Sequence, residues 1–96
     1  MRRAARVDAN HADIVQAFKQ MGATVLDLSR VGGGCPDLLV GYRGANVLVE
    51  VKIAKGKKNK LQEKFFADWK GPCFEVRTVM EAFEIIKLMN QIAAFA

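Results

Sequence analysis

The sequence predicts an α/β fold, a small mixed β-sheet flanked by helices in the order α-β-β-β-α-β-α. Three observations carry that expectation. Ile14, Ala17, Phe18 and Met21 recur at helical spacing near the start. Two β-rich runs stand on either side of Arg43-Gly44. A Thr78-x-x-Glu81 pair then opens a last apolar-faced helix.

Taken in order, the first helix is expected to start at Asn10, a good capping residue, with Asp13 as a weak capping-box partner, and to stop at Gly22. Thr24 to Leu28 is a short β-rich run, and Gly32-Gly33-Gly34 breaks the chain after it. Residues 37–42 and 46–53 read as two strands of a hairpin turning at Arg43-Gly44. A lysine-rich loop leads to a helix from about Asn59 to Trp69, with Leu61, Phe65 and Trp69 recurring every four residues. Gly71-Pro72 ends that helix, and Cys73 to Arg77 alternates as a strand. The last helix carries Met80, Phe83, Ile86, Met89 and Ile92 as its expected apolar face.

With 96 residues the chain fits one domain, 1–96. Hydrophobic residues at 51% and charged residues at 26% exclude disordered and low-complexity classes. No apolar run is long enough for a bilayer, so no membrane partner is expected. The start reaches Asp8 before any apolar segment, unlike a secretory signal, and Cys35 and Cys73 are too few for a disulfide scaffold. A reducing cytoplasm is the expected setting. The net charge of +5 favours an anionic partner, nucleic acid first among them. Lys52, Lys55, Lys57, Lys58 and Lys60 fall within nine positions that contain no acid. They form either a phosphate-contacting rim or a solvated loop.

The hairpin carries the chemistry. A two-residue turn at Arg43-Gly44 places Asp37 directly opposite Glu50, with Cβ atoms about 5 Å apart, and a three-residue turn would set them diagonal but still within reach of one ion. Lys52 shares that face, while Leu38, Val40 and Tyr42 oppose Val47, Val49 and Val51 on the other, which must lie under a helix. Two carboxylates at such a distance repel by about 3 kcal/mol at an effective dielectric near 20, and a divalent cation between them would offset that. The bland alternative is a polar strand face and an ordinary turn acid after Pro36.

Pro36-Asp37 followed by Glu50-Val51-Lys52 matches the PD…ExK signature. Gly33-Gly34-Cys35-Pro36-Asp37-Leu38-Leu39-Val40, then Val49-Glu50-Val51-Lys52, then Gln62-x-x-Phe65 resembles the VRR-NUC branch of the PD-(D/E)XK nucleases, nearest its stand-alone phage and prophage domains. The resemblance runs from about Asp8 to the last helix. It implies a restriction-endonuclease-like core and hydrolysis of DNA phosphodiester bonds. It further implies Mg²⁺ or Mn²⁺ held by Asp37, Glu50 and the backbone carbonyl of Val51, with Lys52 orienting or activating the attacking water. Gln62 matches the family's helical glutamine and joins the catalytic set on that ground.

Where many relatives carry a first-helix glutamate, this chain has His11, which with Asn10 stands at the edge of the expected site or simply packs at the helix end. Gly33 and Gly34, with Ser29 and Arg30 nearby, either admit a phosphate or form a plain turn. Arg30, Gly33, Gly34, Lys55, Lys57, Lys58 and Lys60 are the candidate DNA contacts. Small nucleases of this type resemble homodimeric Holliday-junction resolvases, and the apolar run Ile92 to Ala96 suits an isologous interface or a helix buried within the monomer. A nuclease of flaps or linear duplex, or a non-catalytic DNA-binding module, is the competing reading.

Overall fold

In the computed structural model, which describes residues 10–53 and 55–94 (Ala94 by its backbone alone), the elements follow in the expected order. The basic start through Asp8, and Phe95 and Ala96 of the last apolar run, lie outside the described residues. Helix α1 spans His11–Gln20, β1 Thr24–Asp27, β2 Leu38–Tyr42, β3 Ala45–Val51, α2 Lys60–Asp68, β4 Cys73–Val76 and α3 Val79–Ala94. The sheet order is β1-β2-β3-β4, with β1 and β2 antiparallel, β2 and β3 antiparallel, and β3 and β4 parallel. It is thus an α/β domain with a four-stranded mixed sheet and three helices among the described residues.

Local chemistry explains most boundaries. Helix α1 ends where the Gly22 and Ala23 amides turn back onto the carbonyls of Lys19 and Phe18, a Schellman closure. The hairpin turns in two residues, with Arg43 at φ 51° and Gly44 at φ 85°, the pairing whose twist suits adjoining antiparallel strands. Tyr42 therefore faces Ala45 and Leu38 faces Val49, the register the two-residue turn demands. Helix α3 opens on a reciprocal capping box, the Thr78 amide donating to the Glu81 carboxylate and the Glu81 amide to the Thr78 hydroxyl.

The core lies between one sheet face and the pair α1 and α3. Leu38, Val40, Val47, Val49, Val51 and Val76 project onto Ile14, Phe18, Ala82, Ile86 and Met89, all buried. Their side chains stand two apart on the strands and three or four apart on the helices, so both periodicities close on one apolar layer.

Three expectations need correction. Asn10 does not cap α1 with its side chain, and Asp13 forms no capping box with it: the Asn10 backbone (φ −89°, ψ 4°) is not the extended one a capping residue takes, and its Nδ2 bonds (below) aim the side chain away from the helix. In α3, Ile86 and Met89 are buried as expected, but Met80, Phe83 and Ile92 are exposed. The buried stripe is Ala82, Ile85, Ile86 and Met89, since the small Ala82 lets the helix approach the layer beneath it. In α2, no residue is fully buried, and Leu61 and Trp69 lie open. Among the described residues, no helix is long and apolar enough to cross a membrane.

Candidate active site

Opposite the core, the second sheet face carries charge. Alternation along β3 puts Leu48, Glu50 and Lys52 on this face, and the parallel pairing adds Cys73 opposite Leu48 and Glu75 opposite Glu50. Glu50 is buried to 2% exposure, as deep as the valines on either side of it. Burying a carboxylate is costly unless charge and hydrogen bonds compensate, and both are present. Gln62 Nε2 donates to Glu50 Oε2 at 2.8 Å, and Lys52 Nζ lies 3.4 Å from the same oxygen.

Asp37 stands at the mouth of the hairpin. Its carbonyl accepts the Leu28 amide at 2.6 Å, which ties it to the end of β1, and its Oδ2 accepts the Val51 amide at 3.0 Å. That second bond sets the carboxylate against the residue next to Glu50. Both carboxylates act on one neighbour. Burial pushes the Cys35 thiol up, and the charges of Glu50 and Asp37 push it further the same way. Cys73 is pushed up to about 11, mainly by burial and then by Glu50. Both thiols are thus kept protonated beside the acids.

Lys52 is placed by its backbone as much as by its charge. Its amide donates to the Val76 carbonyl at 3.0 Å, and its carbonyl accepts from Asn10 Nδ2 at 3.0 Å. The same Asn10 group donates to the Arg77 carbonyl at 2.7 Å. Asn10 therefore clamps β3 and β4 together just beyond their last paired residues. Those two bonds orient the side chain toward the strands and away from the amides of its own helix.

Gln62 is held from both ends. Its backbone amide donates to Asn59 Oδ1 and its Oε1 accepts the Asn59 amide, both at 2.9 Å, a full capping box. With the carbonyl end fixed at the cap, the amide nitrogen is left to reach Glu50. The helix itself is seated by Gly34 (φ +81°), where a Cβ would fall 2.3 Å from the Leu61 carbonyl oxygen. Gly34 thus gives close approach to helix backbone. Gly33 has no atom within 4 Å of where a Cβ would stand.

The remaining sequence candidates divide. Lys55, Lys57 and Lys60 are exposed around the start of α2, and Arg30 is exposed beside the glycine loop. Lys58 is engaged, its Nζ 2.7 Å from Glu75 Oε1 and 4.6 Å from the centroid of the Phe66 ring. His11 is buried, with Nε2 3.5 Å from Asp27 Oδ2, and Asp27 pairs with Leu38 on the core side of the sheet. Asp27 in turn accepts both the amide and the hydroxyl of Ser29, at 2.8 and 2.6 Å, which holds its carboxyl below the ordinary range.

Glu75 escaped the sequence reading, although its place in an alternating strand was visible. Only the parallel pairing of β4 with β3 sets it opposite Glu50. Lys58 and Arg77 both bind its carboxylate.

Two carboxylates and a main-chain carbonyl are hard oxygen donors of the kind Mg²⁺ and Mn²⁺ take. Among the described residues no group of three or more His, Cys, Asp or Glu side chains gathers to hold a metal. Asp37, Glu50 and the Val51 carbonyl could therefore supply only part of a coordination shell. That suits Mg²⁺, which keeps several waters and is commonly bound through one or two carboxylates. In comparisons with known proteins, no family model, no curated protein and no solved structure matches this chain.

Proposed function

We propose that this chain is a metal-dependent, structure-selective DNA endonuclease of the VRR-NUC type, acting as a homodimeric resolvase of four-way junctions. The supporting observation is Glu50, a carboxylate buried among strand valines with Gln62 and Lys52 both on its Oε2. A DNA-binding surface alone has no use for an acid at that depth, because phosphate is repelled by it.

In this reading Asp37, Glu50 and the Val51 carbonyl hold Mg²⁺ or Mn²⁺. When bound, such a cation lowers the pKa of a coordinated water and offsets charge growing on the phosphate. The protein's own groups do the positioning. Gln62 fixes the Glu50 carboxylate in one rotamer, and the Val51 amide does the same for Asp37. Lys52, pinned through Val76 and Asn10, presents its ammonium beside Glu50, where it orients the attacking water and stabilises charge on the phosphate. Exposed Lys55, Lys57 and Lys60 draw the backbone of the DNA toward the site. Exposed Leu88 and Ile92, one turn apart on α3, are the apolar surface a second copy would cover, pairing two sites for symmetric cuts.

Labelled four-way junction, flap and linear duplex DNA, incubated with Mg²⁺, Mn²⁺ or chelator, test this directly. Paired nicks in the junction, lost in chelator and in Glu50→Ala, are expected. Cutting that persists in either would overturn the mechanism. Equal cutting of plain duplex would overturn junction selectivity, and a monomeric mass by light scattering would overturn the paired-site model.

A further inference from the structure

Helix α2 reaches Glu50 through Gln62 near its start, while farther along the same side its aromatic residues lie partly open to solvent. Phe65 and Trp69 stack there with ring centroids 5.1 Å apart and planes 15° from parallel. Trp69 is 49% exposed and Leu61 60%. With Gly33, Lys64 and Asp68 they line a shallow groove of about 310 Å³. Gly33 adds no side chain to its wall, and Gly71 lies close against the indole edge, where a Cβ would come 3.0 Å from its nitrogen.

Such a surface is expensive to leave in water unless something covers it. The charge around it says what. Asp68, the acid in the groove, is already paired with Lys64 at 2.7 Å. Lys60 and Lys70 stand exposed at the two ends of the helix, and the lysine-rich loop leads into it. A second copy of this chain would bring another net charge of +5 against that rim. A polyanion with flat apolar faces fits both features. On the helical wheel Trp69 falls about 20° from Gln62, so the aromatic side adjoins the side that reaches Glu50.

We propose that Leu61, Phe65 and Trp69 form a stacking shelf for an unpaired nucleobase, binding single-stranded DNA next to the candidate active site. The aromatic pair supplies a π-face that any base can use, and the lysines track the phosphates. The proposal rests on the DNA reading above, but it concerns binding and needs no cleavage.

Trp69 is the only tryptophan in the chain, so its fluorescence reports on the shelf alone. The full chain, in chelator, is titrated with a mixed-sequence single-stranded 12-mer, the matching duplex, and inorganic polyphosphate. Saturable quenching by the single strand, with far weaker quenching by duplex and polyphosphate, is expected. Trp69→Ala should weaken binding of a dye-labelled single strand by about 5- to 100-fold, and Trp69→Phe by less than about threefold. Thermal melts of both variants verify folding, and the phenylalanine variant keeps the test valid if the alanine variant does not fold. Equal quenching by polyphosphate would show charge without stacking and overturn the shelf. No quenching, or an emission shift that follows protein concentration without DNA, would overturn it too, the latter by making the face a self-contact. Junction cleavage without quenching rejects the shelf alone, whereas quenching without cleavage on any substrate rejects the nuclease alone.

Discussion

The two faces of the β2–β3 hairpin are built from the same dozen residues and do opposite things. On one, Leu38, Val40, Val47, Val49 and Val51 are each exposed by 1% or less, sealed beneath α1 and α3. On the other, Glu50 is buried almost as completely, but beside an ammonium and an amide. The apolar face gains about 25 cal/mol for each Å² removed from water. The charged face begins from a desolvation cost that its ion pair and hydrogen bonds at best balance. A strand that needed only to fold would carry another valine at position 50. The difference separates what holds this molecule together from what it holds in readiness.

Substitutions on the two faces should therefore separate activity from stability. Glu50→Gln preserves shape and removes the charge. On the proposed nuclease function, junction cleavage should fall about 1000-fold or more, since that reading rests several kcal/mol of transition-state stabilisation on the carboxylate. Leu38→Ala should do the reverse, costing about 2–5 kcal/mol in urea unfolding while the folded fraction cuts at a near-normal rate. If Glu50→Gln unfolds as readily as Leu38→Ala, the acid is a structural group and the contrast between the faces disappears.

A third substitution tests how the charged face acquires its cover. At Gly34→Ala the new Cβ would meet the Leu61 carbonyl at 2.3 Å, on a backbone at φ +81°. The conformation alone costs about 1–3 kcal/mol, and the clash pushes the start of α2 away. Faster hydrogen exchange in α2, with α1 and α3 unchanged, is the expected signature.

These contrasts were unevenly legible in the sequence. The hairpin register followed once the turn was read as two residues, which sets Leu38 against Val49, although a three-residue turn was also open to the sequence. Gln62 was legible through the family resemblance, which marks a helical glutamine at this place. Asn10 was not, because a capping residue type says nothing about carbonyls at Lys52 and Arg77, far along the chain. The buried side of α3 was obscured by apolar residues around much of its circumference, and packing chose the stripe containing Ala82. The openness of Leu61 and Trp69 was equally hidden, since periodicity shows that a helix has an apolar side and not that anything covers it. Glu75 became a neighbour of Glu50 only through the parallel β3–β4 pairing, a long-range choice that no local signal encodes.

Gln62 joins the two kinds of work, and its substitution should show both. Gln62→Ala removes a capping-box partner and the donor that fixes Glu50. The cap is worth about 1 kcal/mol, and if Glu50 holds a metal as proposed, losing its outer partner should cost about 10- to 100-fold in activity. Asn59→Ala isolates the first effect, since Gln62 Oε1 is held by the main-chain amide of residue 59 and not by its side chain. That variant should melt lower and cut normally. Equal activity losses in both variants would make Gln62 a cap residue only.

The smallest expected effect lies at Glu75 and sharpens the account of how this face tolerates its charges. Burial pushes the Glu75 carboxyl up, but the hydrogen bonds and charges of Lys58 and Arg77 outweigh it and hold the group below its ordinary value of 4.5. An acid titrating lower in the folded than in the unfolded chain stabilises the fold fully above the unfolded value. That contribution is lost as the pH falls through the lowered one. Because the carboxylate is 22% exposed, the pair is partly screened and the effect should stay near or below 1 kcal/mol. Melting curves of the wild type and Glu75→Gln, taken from about pH 6 down to pH 3, isolate it from the other acids. The wild type should lose its advantage over the variant progressively below the ordinary glutamate range. A constant difference between the two curves would mean that Lys58 and Arg77 are not bound to Glu75 in solution, leaving Lys58 available beside Lys55, Lys57 and Lys60 for phosphate.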